Sequence, residues 1–263
     1  MNALTKILST SVEDIKDKFS LYLKYLALPF IAMVFYDFFG DYIVINMPSI
    51  ELAPANDEMS AITLETQGFF SGLADITIYL YLQLNLAFIT HKVTLGRQSE
   101  ITIIDGLIWR KKHIPFIKAF VTLILISFLM LIPIIVLLSL TAFADSGFLS
   151  DASGLTTSLY FLALALPFIY LFSRYSLIAP ASAANKPIKL ADSFSLTKGY
   201  GWIIAALTVI IPTTLEFLLN AIPFTLSIIF INISVIFSII LLTNCYKYLK
   251  QVNVSAASFH ENT

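Results

Sequence analysis

"RYSLIAPASAANKPIKLADSFSLTKGYGW", residues 174–202, is a polar interruption in a chain otherwise made mostly of Leu, Ile, Phe and Ala. Apolar runs of membrane-spanning length abut it on both sides, at about 155–179 and 201–219. If the stretch is a joint between two spans, the chain is polytopic and its polarity needs no catalytic explanation.

Working outward, similar runs recur at about 21–39, 69–90, 114–142 and 222–246. A spanning helix needs about 20 mostly apolar residues. Hydrophobic residues make up 58% of the 263 and charged residues only 13%, more apolar surface than one soluble core of this size requires. Alternation with period two is absent, and lipid does not tolerate unpaired backbone groups, so the spans are helical. The expected fold is all-α: a single polytopic transmembrane domain, 1–263, with six transmembrane helices. The opening MNALTKILSTSVEDIKDK mixes both charge signs and lacks an apolar core with a cleavage site, so no removable signal peptide is expected.

Charge sets the orientation. All 16 Lys and Arg precede or open span one, lie between or flank spans two and three, stand at the end of span four or between it and span five, or follow span six. The positive-inside rule puts these segments and both termini in the cytoplasm. The opposite connections carry acids: Asp41, Glu51, Asp57, Glu58 and Glu65 in the first, Asp145 and Asp151 in the second, with a tight turn near Asn220 as the third. Arg110, Lys111, Lys112, Arg174, Lys186, Lys189 and Lys198 are the candidate headgroup or interface residues. Near-surface cations of this kind are worth about 1 kcal/mol each against anionic lipid. Membrane phospholipids are the expected partners; the whole-chain charge of −1 gives no reason to invoke nucleic acid.

Three basic segments read as cytoplasmic interfacial amphipathic helices. The first has a stripe of Leu8, Val12, Ile15, Phe19 and Tyr22; the second, Ile101, Ile104 and Ile108; the third, capped by Asn185, has Pro187, Leu190, Ala191 and Phe194, with Lys189, Asp192 and Ser193 on the other face. "DKFSLYLK" from Asp17, "DGLIWRKK" from Asp105 and "DSFSLTKG" from Asp192 align at offsets of 88 and 87 residues, the length of a helix plus two spans. That spacing suggests a threefold internal repeat.

Polar residues near the spans are few. Asp37, Asp75 and Glu216 lie towards the outer ends of spans one, two and five, and are the candidate acids of a transport reading. Gln83 and Asn85 are expected to hydrogen-bond between helices. Arg174 is expected to snorkel to headgroups or to pair with Asp192. His91, His113 and His260 are far apart, and Cys245 is the only cysteine. Ser193 and Ser195 have no nearby base, and no nucleotide, hydrolase or zinc motif occurs, so neither catalysis nor a metal or cofactor is expected.

An arginine closing a span, a proline soon after, and a surface helix ending "LTKG" before an aromatic resemble the YciC-like bacterial inner-membrane proteins, a family of uncharacterised function. They also resemble the membrane domain that accompanies some glycerophosphodiester phosphodiesterases. Arg174, Leu177, Pro180, Ala191, Ser195, Leu196, Thr197, Gly199 and Trp202 carry the likeness. Relatives of the phosphodiesterase domain have an acid after the proline, where this chain has Ala183, Ala184, Asn185 and Lys186. The resemblance implies a bacterial inner-membrane protein and supplies no reaction, catalytic residue or cofactor; the first reading is a non-enzymatic protein that contacts or organises lipid or envelope partners. The other reading is a transporter or lipid-translocating permease with a path between the repeats.

Overall fold

The computed structural model describes residues 2–45, 57–144, 154–219 and 221–260. Among them there is no strand. The helices are α1 (Ala3–Asp17), α2 (Phe19–Ile45), α3 (Asp57–Thr94), α4 (Ile114–Ala144), α5 (Gly154–Tyr175), α6 (Ile178–Ala183), α7 (Leu190–Leu196), α8 (Gly201–Ala205), α9 (Ile211–Leu219) and α10 (Phe224–His260). Five segments are long and apolar enough to cross a bilayer: Phe19–Gly40, Ser71–Thr94, Lys111–Pro133, Gly201–Leu219 and Leu226–Asn253. Only 17% to 39% of each is buried within the protein, so most of the apolar surface faces outward, as lipid contact requires. This is a multi-pass membrane architecture. The expected span 155–179 is helical as α5 but ends at Tyr175, and a separate short helix, α6, follows.

The core lies towards the end that carries the N-terminus. Tyr22, Leu26, Leu86, Phe88, Ile89 and Phe116 form one buried cluster. Ile7, Leu177, Ala181, Ile204, Leu241 and Leu249 form a second. Helix α10 runs through the middle, packed against α1, α2, α3 and α9. All six residues of α6 are buried, and its sequence IAPASA explains how: mostly small side chains let it seat closely against α4 and α10. Between α8 and α9 the helix widens into a π turn at Ala206–Ile210. Pro212 has no N–H for the Thr208 carbonyl four residues back, and the wider turn accommodates that break.

The surface segments depart from the amphipathic expectation. Helix α1 forms, but the face it buries contains Ile7 and Ser11, and Val12 is 59% exposed. The second segment is no α-helix. It is three single 3₁₀ turns, Gln98–Glu100, Ile103–Gly106 and Lys111–His113, with Ile101 buried but Ile104 and Ile108 exposed. Gly106 is required there, because a Cβ would come within 2.8 Å of the Pro29 ring. The third segment is the seven-residue α7, which buries Ser193 and Thr197 while Ala191 is exposed. The three aligned segments thus take three different local structures.

Two further expectations change. Asp57 opens α3 and Glu58 and Glu65 lie within it, so the acidic connection after span one is shorter than the sequence suggests. Gln83 and Asn85 bond inside their own helix, to the Tyr79 hydroxyl at 3.2 Å and the Tyr81 carbonyl at 3.0 Å, because those groups lie one turn away. Glu51, Asp145, Asp151 and Asn220 lie outside the described residues.

Candidate functional site

Three carboxylates organise the basic end, and each is shared by two cations. Asp14 on α1 takes Lys18 at 2.7 Å and Lys247 of α10 at 2.8 Å. Both lysines also donate to the Thr94 carbonyl at the end of α3, at 2.9 and 3.3 Å, where a helix leaves carbonyls unpaired. The Thr94 hydroxyl meets the Tyr22 hydroxyl at 2.8 Å, so α1, α2, α3 and α10 are joined at one point.

Glu100 takes Lys92 at 2.6 Å and Arg97 at 2.9 Å. The Lys92 side chain is only 2% exposed, and its ammonium also reaches the Asn185 carboxamide oxygen at 3.0 Å. The Asn185 amide nitrogen donates back to Glu100 at 2.9 Å. Asn185 therefore does not cap the helix after it. It terminates α6 in the left-handed conformation, φ 55°, which asparagine tolerates better than most residues. The cap of α7 is Lys189, whose backbone N–H donates to Asp192 at 3.1 Å.

Asp105 is fully buried and takes Lys112 at 2.5 Å and Arg110 at 3.5 Å. It also accepts from the Thr102 backbone N–H at 2.5 Å and the Thr102 hydroxyl at 2.9 Å. His113, buried beside it, packs at a tilt against Phe88 with ring centres 4.3 Å apart and accepts the Arg110 backbone N–H at 2.9 Å.

The electrostatics of the three acids agree. Burial pushes Asp14 up, but hydrogen bonds and charge from Lys18 and Lys247 outweigh it and hold the carboxyl below its ordinary value. Glu100 is held down chiefly by its hydrogen bond to Lys92. At Asp105 burial again pushes up, and Lys112 with the Thr102 N–H and hydroxyl wins.

Arg174 does not reach for headgroups and does not pair with Asp192. It is 8% exposed. Its guanidinium donates to the Thr197 hydroxyl at 3.0 Å and to the Phe194 carbonyl, and lies 3.3 Å from the centre of the Phe194 ring. The Ser193 hydroxyl donates to the Arg174 carbonyl at 2.7 Å, so α7 is clamped to the end of α5. Of the other candidate cations, Lys111, Lys186, Lys189 and Lys198 are exposed, while Arg110 and Lys112 hold Asp105. Lys189 and Lys118 flank a groove of about 520 Å³ whose walls include Ile114, Pro115, Pro187 and Leu190.

The candidate transport acids have neutral partners. Asp37 accepts from the Asn232 amide at 2.6 Å, linking α2 to α10. Asp75 accepts from the Tyr36 hydroxyl at 2.5 Å, linking α3 to α2. Buried His91 meets the Thr243 hydroxyl at 2.6 Å, and no metal-binding group of His, Cys, Asp and Glu occurs among the described residues.

Sequence reasoning missed Asp14, Glu100 and the burial of Lys92. A signal existed: Glu100 and Asp105 are the two acids of a basic connection, and Lys92 closes the apolar run 69–90. Comparison with known protein families, with curated proteins and with solved structures finds no match to this chain.

Proposed function

We propose that the chain is a non-enzymatic multi-pass protein of the bacterial inner membrane, similar to the YciC-like proteins, whose basic end contacts phospholipid headgroups. In this reading α5 supplies a sixth span, both termini are cytoplasmic, and the 87 to 88-residue spacing marks three helix-plus-hairpin units that have diverged at their joints. The observation that carries it is the sharing of each carboxylate, Asp14, Glu100 and Asp105, by two cations. Each cluster keeps a surplus positive charge, and exposed Lys111, Lys186, Lys189 and Lys198 add to it. A surface with that surplus beside apolar spans favours anionic lipid.

Native mass spectrometry of the protein in mild detergent tests the reading: retained phospholipid, reduced when the exposed lysines become glutamine, is expected. No retained phospholipid would sink it. Reporter fusions at Asp57 and Phe148 should report the outer side, and cytoplasmic signals there would reverse the orientation.

A second reading, a transporter or lipid-translocating permease, draws on the presence of an acid, Asp37, Asp75 or Glu216, in each of three separate apolar spans. Neutralising Asp75 and Glu216 together should then abolish a measured flux; unchanged flux would remove them from any path.

A further inference from the structure

We infer that a groove of about 490 Å³ at the basic end, lined by Arg97, Lys186, Lys247 and Lys250 over Tyr246, is a binding site for a phosphate-bearing anion. The inference rests on the lipid-contact reading only for one of its two sources, a lipid headgroup; the other source is a soluble phosphate compound.

Four cations line the groove, and no acid does. The carboxylates nearest in the network are already committed. Glu100 is divided between Arg97 and buried Lys92, and Asp14 between Lys247 and Lys18. Exposed Lys186 and Lys250 add two charges that appear in none of the six ion pairs among the described residues. Exposed Lys111, Lys189 and Lys198 stand singly outside the groove, whereas within it four cations line one concave surface.

The backbone fixes where two of these cations stand. Gly96, φ 72°, and Asn185, φ 55°, each end a helix in the left-handed conformation. At the first, the Gly96 and Arg97 N–H groups donate to the Val93 and Lys92 carbonyls at 3.0 and 2.9 Å. At the second, the Asn185 and Lys186 N–H groups donate to the Ser182 and Ala181 carbonyls at 3.0 Å each. Both are Schellman caps, so Arg97 and Lys186 occupy the same position after two different helices. Asn185 bridges the two caps through Glu100 and Lys92. Arg97 brings a planar fork suited to paired phosphate oxygens, and the lysines supply point charges. Tyr246 and Leu95 give the groove an apolar floor beside the span.

The test uses the full chain in mild detergent. The groove variant is Lys186→Gln with Lys250→Gln; the control is Lys111→Gln with Lys198→Gln, which removes the same charge from the same face outside the groove. All four lysines are exposed, so both variants should fold, as circular dichroism checks. Retention of phosphatidylglycerol is read by native mass spectrometry, and binding of inorganic phosphate by the rise in melting temperature. About thirtyfold weaker phosphatidylglycerol binding in the groove variant, with the control close to wild type, supports the site with lipid as its source. A phosphate-induced rise lost only in the groove variant, with lipid retention unchanged, supports the site with a soluble source. Equal behaviour of the two variants in both assays overturns the groove, and if lipid is still retained the lipid-contact reading survives it. Absence of lipid from every variant, with the phosphate response lost only at the groove, removes the lipid-contact reading and keeps the site.

Discussion

Two sets of three acids sit in this molecule under opposite regimes. At the basic end Asp14, Glu100 and Asp105 each hold two cations. In the spans Asp37 and Asp75 have an amide and a phenol as partners, and Glu216 lies in a third span. The difference teaches that the chain uses charge to fasten helix ends together and neutral hydrogen bonds to register helices within the spans. A charged pair is sustainable where water can reach part of it, whereas desolvating both ions inside apolar surroundings costs more than their attraction returns.

The largest expected effect comes from acid, which discharges all three clusters at once. Carboxylates held below their ordinary values in the folded chain stabilise it fully at pH well above those values. That contribution is lost as pH falls below 4.5 and 3.8, the ordinary Glu and Asp values, and through the depressed folded ones. Thermal melting in detergent from neutral pH to pH near 3 should show a steep fall across this window; a flat profile would break the comparison.

Next is Glu100→Ala, which leaves the buried Lys92 ammonium with the Asn185 oxygen and the Phe88 ring but no counter-charge. A loss of about 3 kcal/mol is expected from melting or denaturant titration. The companion Asp105→Asn should cost less although Asp105 is the more buried acid, since freed Arg110 and Lys112 can turn to water.

Arg174→Lys should lose about 2 kcal/mol, because an ammonium cannot both stack on Phe194 and fork to Thr197 and the Phe194 carbonyl. Full stability in that variant would mean that the clamp on α7 contributes nothing. The smallest effect is Asp37→Asn, which leaves an oxygen to accept from Asn232 and should change stability by less than about 1 kcal/mol. A loss as large as that of Glu100→Ala would erase the distinction between the two sets.

Much of this was legible in the chain. The apolar runs predicted helices at each expected span, and the grouping of cations marked the connections that carry them. The clusters themselves were not legible, because their members are far apart in sequence: Asp14 meets Lys247, and Lys92 meets Asn185. Arg174 illustrates the limit. Its position at the end of a span suggested exposure to headgroups, but Phe194 and Thr197 fold back over it from the next segment. The middle basic segment failed for a local reason. Its isoleucines carry a helical spacing, but Asp105 takes the Thr102 N–H and Gly106 must pass against Pro29, and both favour a tight turn over an α-helix.

By itself the sequence determined that the chain is helical and multi-pass and which end is basic, because hydropathy over about 20 residues and the sign of charge are local quantities. Only the tertiary structure decided which cations are committed inside the fold and which remain to meet a ligand. That division depends on which carboxylate each cation reaches and how much water each loses, and both are set by segments that meet only when the helices pack.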